Sequence, residues 1–231
     1  PGNIFDELIN NDRIIGGIDQ DSSEIAKDFY TLFVKGEIHI TDAKTAEMCK
    51  LVENSSRDSQ IAFANQISMI CDEVGIDAWR VIDLANKHPR VEILRPGPGV
   101  GGHCIAIDPW FLVSDFKENS SFIETARKIN LKKTEWCSKK IIDQVKLIKA
   151  NEKDIKVSLM GLSYKPDVDD LRESPSIAIY NELKKSTNVE LLLVDPNLDS
   201  SYNIELTPFN EAYESSDIVV WLVNHKAFYL K

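Results

Sequence analysis

Apolar and polar positions along the chain alternate between two regimes. Short apolar runs bounded by turn residues read as strands, and long stretches with apolar positions three and four apart read as helices. Residues 1–13 are polar and irregular. Residues 14–18 form a short buried strand. A helix follows, with Asp21 and Glu24 at capping-box spacing, running to Val34 and stopped by Gly36. Residues 37–40 suit a second short strand. Thr41 then caps a helix that meets no Gly or Pro before Gly75, a length of roughly 50 Å at about 1.5 Å per residue. That length predicts a spine shared with a second subunit or domain. Phe63, Ile67, Ile70 and Val74 follow helical spacing and predict its core stripe. Residues 77–86 predict a short helix ended at His88-Pro89, and residues 110–117 one or two helical turns. Residues 121–149 predict another long helix, on which Phe122, Ala126, Ile129, Lys133, Trp136 and Lys140 share part of the surface.

The pattern changes near residue 150. A polar linker at 149–153 precedes apolar runs at 155–161, 189–194 and 218–223, with helical patterns between them. Strand, helix, strand, helix, strand implies a parallel sheet, and ligands of such sheets sit at the carboxyl ends of the strands. The expected fold class is therefore α/β: a long-helix central domain followed by a Rossmann-like parallel-sheet domain. The chain stops soon after the third of these strands and opens in a loop leading to a lone strand. Both observations predict an architecture truncated at both ends.

Composition narrows the partners. The 231 residues are 43% hydrophobic and 28% charged, as in an ordinary globular protein. A net charge of −10 argues against nucleic acid as a partner. No apolar run approaches the length of a membrane span, and the N-terminus lacks a signal-peptide pattern. The four cysteines, at 49, 71, 104 and 137, form no C-x-x-C pair. Their spacing argues against a zinc site and predicts free thiols in a cytoplasmic protein.

One stretch carries candidate chemistry. Residues 95–112 read RPGPGVGGHCIAIDPWFL. So many Gly and Pro residues forbid a helix or central strand and leave a loop able to approach a ligand closely. Cys104 ends that loop, with His103 beside it and Asp108 just beyond, and is a candidate nucleophile. The triplet Gly97, Gly99 and Gly102 matches G-x-G-x-x-G literally. It is rejected as a dinucleotide fingerprint, because no strand precedes it and no helix opens at its last glycine. Lys50, Asn54 and Arg57 fall at i, i+4 and i+7 and share one helix face. That face is either solvated or a polar cluster at a substrate site. Residues 161–175 read GLSYKPDVDDLRESP after a predicted strand, so Tyr164, Lys165 and Arg172 occupy a ligand-binding edge. Ser174 and Pro175 suit an N-cap and first helical position. Asp195 ends a strand as a ribose-binding acid would, but its Asp-Pro sequence suits a turn better.

Three ordered motifs, AEMCKLVENSSRDSQIAFAN (46–65), GPGVGGHCIAIDPWFL (97–112) and GLSYKPDVDDLRESPS (161–176), closely resemble the UDP-sugar dehydrogenases. NDRIIGG (11–17) and VDPNL (194–198) extend the resemblance over nearly the whole chain. The Ala-Ile-Asp-Pro-Trp-Phe continuation favours the branch acting on UDP-N-acetylmannosamine over those acting on UDP-glucose. The resemblance implies three domains: residues 1–40 as the tail of an N-terminal NAD-binding Rossmann domain, 41–150 as a central helical dimerisation domain, and 151–231 as an incomplete UDP-binding domain. It implies an NAD-dependent two-step oxidation of a sugar C6 alcohol to a carboxylate, in a cytoplasmic homodimer built on the long helix.

By the same resemblance, Cys104 attacks the C6 aldehyde, Lys50 stabilises the oxyanion or acts as acid/base with Asn54 beside it, and Asp108 positions or activates water. Lys50, Asn54, Arg57, Tyr164, Lys165 and backbone at Gly101 hold substrate. His88 and Arg90 reach it, Arg90 across the dimer, and Arg172 contacts NAD. The phosphate-binding glycines of the NAD domain do not occur in these residues. The expectation is a fragment that is inactive by itself. The competing readings are a non-catalytic UDP-sugar-binding and dimerisation module, and a thiol hydrolase using Cys104 and His103. The hydrolase is disfavoured because adjacent side chains in an extended loop point apart.

Overall fold

A computed structural model describes residues 4–148, 154–199, 202 and 204–230. The expected linker at 149–153 lies outside the described residues. The chain divides into two compact units, residues 1–55 and 56–231, and the division falls inside one helix. Among the described residues no helix is long and apolar enough to cross a membrane.

The first unit contains α1 (Ile4–Asn10), β1 (Arg13–Gly17), α2 (Gln20–Thr31), β2 (Ile38–Asp42) and the opening turns of α3 (Ala43–Glu73). β1 and β2 pair in parallel, Ile15 opposite Ile40, so α2 is their crossover. Residues 4–10, expected to be irregular, are helical. The Arg13 guanidinium donates to the carbonyls of Glu7 and Leu8 and satisfies the end of α1, a contact that periodicity does not reveal. α2 is capped by Asp19, whose carboxylate accepts from the Ser22 N–H at 2.7 Å, not by the Asp21–Glu24 pair. It ends at Thr31, a turn before the expected Val34. Thr41 belongs to β2. Asp42 takes the capping role for α3, accepting from the Thr45 N–H at 3.0 Å.

The second unit holds the rest of α3, then α4 (Ala78–Ala85), α5 (Asp108–Asp115) and α6 (Ser121–Leu147). A parallel sheet follows, with β3 (Lys156–Met160) between β4 (Glu190–Val194) and β5 (Ile218–Trp221). α7 (Pro175–Ser186) and α8 (Phe209–Ser215) are the crossovers, and a 3-10 turn spans Lys226–Leu230. The strand and helix order matches the α/β expectation. Val157, Leu159, Leu162, Ile179 and Leu183 are completely buried in the main apolar core. β3 is buried on both faces, which its near-continuous apolar run predicts for a central parallel strand.

The expected stripe of α3 is on the wrong side. Phe63, Ile70 and Val74 are 52%, 49% and 62% exposed. Its buried face is instead Asp58, Ala62, Asn65, Ser68 and Cys71. Of the α6 residues expected to share a surface, Ala126 and Lys133 are buried while Phe122 and Lys140 are exposed. Buried Arg127 and Asn130 are what α6 presents to α3. The Arg127 guanidinium donates to the Asp58 carboxylate at 2.6 Å, and Asn130 Nδ2 donates to the same carboxylate at 2.8 Å. Complementary polar groups on the two helices therefore decide which face turns inward.

Candidate active site

The cysteine loop is held by side chains of two helices. Asn65 on α3 donates to the Asn130 side chain of α6 at 2.9 Å. The Asn65 carbonyl oxygen accepts from the Gly97 N–H at 2.9 Å. Thr134, one turn beyond Asn130, donates from its hydroxyl to the Pro98 carbonyl at 2.9 Å. Residues 91–103 contain no helix or strand, so the literal glycine triplet lacks the strand–turn–helix setting of a dinucleotide fingerprint.

Further along, the loop meets the turn after β3. The Gly102 N–H donates to the Arg172 carbonyl at 2.9 Å. A Cβ on Gly101 would lie 2.4 Å from the Glu173 carbonyl oxygen and 2.8 Å from Tyr164 Cβ. Gly102 has φ +85° and faces the Tyr164 ring, 2.9 Å from where a Cβ would stand. Glycine at both positions permits this approach. Cys104 follows, half-buried, and its carbonyl accepts the Asp108 N–H at 2.8 Å at the opening of α5.

His103 Nδ1 lies 2.8 Å from Cys104 Sγ. The expectation that these side chains point apart is corrected: the backbone here turns instead of extending, with bends through residues 102–104. The exposed Arg172 guanidinium grips Asp170 through two nitrogens, Nε at 3.0 Å and Nη2 at 2.6 Å. The Asp170 hydrogen bond raises the Arg172 pKa, with weaker contributions from the charges of Asp170, Tyr164 and Cys104. The Arg172 hydrogen bond in turn lowers the Asp170 pKa. Lys165 Nζ sits 5.7 Å from the centroid of the Tyr164 ring. The second unit thus gathers Gly101, His103, Cys104, Tyr164, Lys165 and Arg172 at one place.

The remaining candidates lie elsewhere on the chain. Arg57 is exposed on α3. His88 and Arg90 occupy the exposed turn after α4, where the Arg90 N–H donates to His88 Nδ1 at 3.3 Å. Lys50 and Asn54 belong to the first unit. Lys50 is exposed and lies 3.5 Å from the Glu53 carboxylate, whereas Asn54 is 8% exposed. The helix face they share with Arg57 is therefore neither uniformly solvated nor uniformly buried.

Sequence reasoning missed the residues that hold the Tyr164–Lys165 turn. Asp195 forms the expected turn, through the Asn197 N–H, and is also a buried lock. Its Oδ2 accepts the N–H groups of Leu162 and Ser163 at 2.8 and 3.1 Å, and its Oδ1 accepts the Asn197 N–H. His225 is completely buried, with Nε2 3.2 Å from Asp195 Oδ2. Its Nδ1 accepts the Asp167 N–H at 3.0 Å, so Nε2 carries the proton and donates toward Asp195. Burial alone would raise the Asp195 pKa, but the hydrogen bonds from His225, Asn197 and Leu162 outweigh it and hold the carboxyl below its ordinary value. Ser163 Oγ also lies 3.3 Å from His225 Nε2. Serine and aspartate share one ring nitrogen, so this is no proton relay of the hydrolase type, which uses opposite nitrogens. Asp167 and Glu173 adopt φ of +60° and +50° at either end of the turn. Such a conformation is costly for Glu and persists because neighbouring contacts fix it. Ser174 and Pro175 cap and open α7 as expected.

Residues 44–132 match the central domain of the UDP-glucose/GDP-mannose dehydrogenase family, and residues 158–230 match its UDP binding domain. The chain belongs to this family. It is 47% identical to an NDP-N-acetyl-D-galactosaminuronic acid dehydrogenase of Ralstonia nicotianae, over 99% of this chain and 54% of that protein. It is 46% identical to a UDP-N-acetyl-D-mannosamine dehydrogenase of Campylobacter jejuni, over 99% of this chain and 57% of that protein. The structure of a UDP-D-ManNAc dehydrogenase from Pyrococcus horikoshii superposes with a TM-score of 0.89 at 36% identity, covering 99% of this chain and 53% of that one. The chain thus spans about half the length of the curated relatives it matches. Within the family framework, the cysteine loop lies in the central-domain match and the Tyr164–Arg172 turn in the UDP-binding match. The contact between Gly102 and Arg172 joins the two.

Proposed function

We propose that these residues form the thiol-bearing and sugar-nucleotide-binding part of an NAD-dependent UDP-sugar 6-dehydrogenase, with UDP-N-acetylmannosamine as substrate. The observation that carries this reading is the meeting of the Cys104 loop with the Tyr164–Arg172 turn. It sets a thiol beside cations suited to a diphosphate. In this reading, residues 1–40 are the tail of the NAD domain, 41–150 the central domain, dimeric through α3, and 151–231 the UDP-binding domain.

The chemistry follows from the side chains. A thiol is mostly protonated near neutral pH, so attack needs a base or a positive neighbour. His103 Nδ1 at 2.8 Å can take that proton, and Arg172 supplies positive charge nearby. Cys104 Sγ bonds to C6 of the aldehyde, and the proton goes to the carbonyl oxygen to give a thiohemiacetal. NAD, when bound, would supply the hydride acceptor for both oxidations, of the C6 alcohol to the aldehyde and of the thiohemiacetal to the thioester, one cofactor molecule for each. Water positioned by Asp108 then attacks the thioester carbon, the C–S bond breaks, and the thiol is regenerated with the uronate. Lys50, with Asn54 beside it, steadies the oxyanion formed in each addition. Tyr164, Lys165, Arg57 and the Gly101 backbone hold the sugar nucleotide, with His88 and Arg90 reaching it, Arg90 from the partner protomer.

For the cofactor, the exposed guanidinium of Arg172 fits a contact to NAD. Among the described residues no G-x-G-x-x-G links a strand to a helix; β1 leads into α2 with Gly16 and Gly17 as its only glycines. In this reading these 231 residues alone do not reduce NAD with any UDP-sugar. The test is alkylation of Cys104 mapped by mass spectrometry. UDP-N-acetylmannosamine should slow it more than UDP-GalNAc, UDP-GlcNAc or UDP-glucose. Cys104→Ala in the intact enzyme should lower kcat at least about a thousandfold. Absence of protection by every UDP-sugar would sink the assignment of the site. Stronger protection by UDP-GalNAc would move the substrate to the galactosamine series.

The short His103–Cys104 distance favours one second reading, a thiol hydrolase. It predicts turnover of simple thioesters without NAD, and the dehydrogenase reading predicts none.

A further inference from the structure

A cavity of 620 Å³ in the second unit is bounded by α3, α6, the start of the glycine loop and the carboxyl end of β5. Its volume suits a small organic ligand. Trp79, Trp136 and Trp221 line it, together with Lys133, Lys140 and Asp72. Cys104, Tyr164 and Arg172 do not, so it is separate from the thiol site.

Its two cations differ. Lys140, at 46% side-chain exposure, is paired with Asp72. Lys133 is only 5% exposed and forms no ion pair among the described residues. Its Nζ donates to Ser68 Oγ at 2.8 Å and lies 3.9 Å from the centroid of the Trp136 ring. One of its three donors is thereby used and one face of the ammonium rests on a π-system, and among the described residues no carboxylate meets the rest. A buried ammonium is costly unless its charge and donors are met. Burial accordingly pulls the Lys133 pKa down. Asp72, whose charge acts on Lys133, is engaged by Lys140. What the cavity lacks is an anion bonded to Lys133 itself. What its walls offer is flat aromatic surface, with Pro96 and Pro98 and the aliphatic side chains of β5 completing it.

We propose that this cavity binds a small aromatic carboxylate, its carboxylate on Lys133 and its ring system against the tryptophan walls. The proposal is independent of the dehydrogenase reading. A carboxylate meets the charge of Lys133 with a charge-assisted hydrogen bond, and a planar body suits tryptophan faces by stacking. Such a ligand would bridge α3, α6 and β5, and so bear on how the cysteine loop is held, because Gly97 and Pro98 line the same cavity.

The test uses the intact protein that carries these residues, with 2-naphthoate and its neutral counterpart 2-naphthylmethanol as probes. Quenching of intrinsic tryptophan fluorescence and calorimetry report binding. The carboxylate should bind at least about tenfold tighter than the alcohol, as a charge-assisted hydrogen bond warrants. Lys133→Met should abolish that preference. If that variant fails to fold, Trp79→Ala at the half-exposed rim should weaken both probes severalfold while keeping the preference for the carboxylate. Saturating UDP should leave naphthoate affinity unchanged. Equal affinity for the two probes, absence of saturable binding, a preference that survives in Lys133→Met, affinities unmoved by Trp79→Ala, or competition by UDP would each overturn the proposal.

Discussion

The second unit has two cores built on opposite principles. Around β3 the buried groups are apolar, with Val157, Leu159, Leu162, Ile179 and Leu183 fully enclosed. Between α3 and α6 they are polar, with Asp58, Asn65, Ser68, Arg127, Asn130 and Lys133 all at 8% exposure or less. Apolar burial is strong but non-directional, so the sheet core holds its elements together without dictating the place of any loop. The helical core is held by hydrogen bonds, which demand particular distances and angles. From it, Asn65 and Thr134 reach out to Gly97 and Pro98 and set where the cysteine loop begins. The lesson is that stability and positioning are assigned to different cores.

The sharpest way to break this contrast is to injure each core and watch Cys104. Arg127→Met leaves the Asp58 carboxylate buried without its cation, and should cost about 3–5 kcal/mol. Leu159→Ala opens a cavity in the sheet core and should cost about 2–5 kcal/mol. Urea unfolding should find the two comparably destabilised. Only Arg127→Met should change the alkylation rate of Cys104 in native buffer. Equal disturbance of the cysteine by both variants would erase the distinction.

Asp195 sharpens the contrast from the other side, as a polar lock at the edge of the apolar core. Its folded pKa is held below the ordinary aspartate value near 3.8, so its contribution to stability is complete above that value. That contribution is lost as the pH falls through the folded pKa, because the unfolded chain then binds the proton first. Asp195→Asn should therefore lower stability by about 1.5–3 kcal/mol at pH 7, the range for hydrogen bonds to a charged group. The deficit should shrink as the pH falls below the unfolded value. A deficit independent of pH would remove the charge from the explanation.

The smallest effect belongs to an ion pair outside both cores. Lys128→Ala removes the exposed partner of Glu124 on α6 and should shift stability by no more than about 0.5 kcal/mol. A larger loss would mean that charge placement on α6 matters well beyond the Asp58–Arg127 pair.

Much of this architecture can be read locally. The Ser174-Pro175 start of α7 is visible because an N-cap acts within one helical turn. The three strands are visible because a buried parallel strand must be apolar along its length. Glycines 101 and 102 mark themselves as positions of close approach, though only the fold shows that Tyr164 and Glu173 are what they approach. The stripe on α3 was misjudged because the helical period identifies a face without saying whether it turns inward. A run of polar residues at positions 58, 65 and 68, with 127, 130 and 134 on α6, was the available sign of a polar interface.

By itself, the sequence determined most of the elements, the parallel sheet, the thiol at the end of a glycine loop and the family motifs, because each depends on neighbours within a few residues. Tertiary structure alone decided the rest. It chose the polar face of α3 as the buried one, bent His103 onto Cys104, made Asp195 a lock through His225, and left Lys133 buried at a cavity wall without an ion pair of its own among the described residues. Each of these rests on a partner outside the local segment or on a backbone bend that spacing cannot encode. A hydrogen bond between residues dozens of positions apart leaves no period in the chain that makes it.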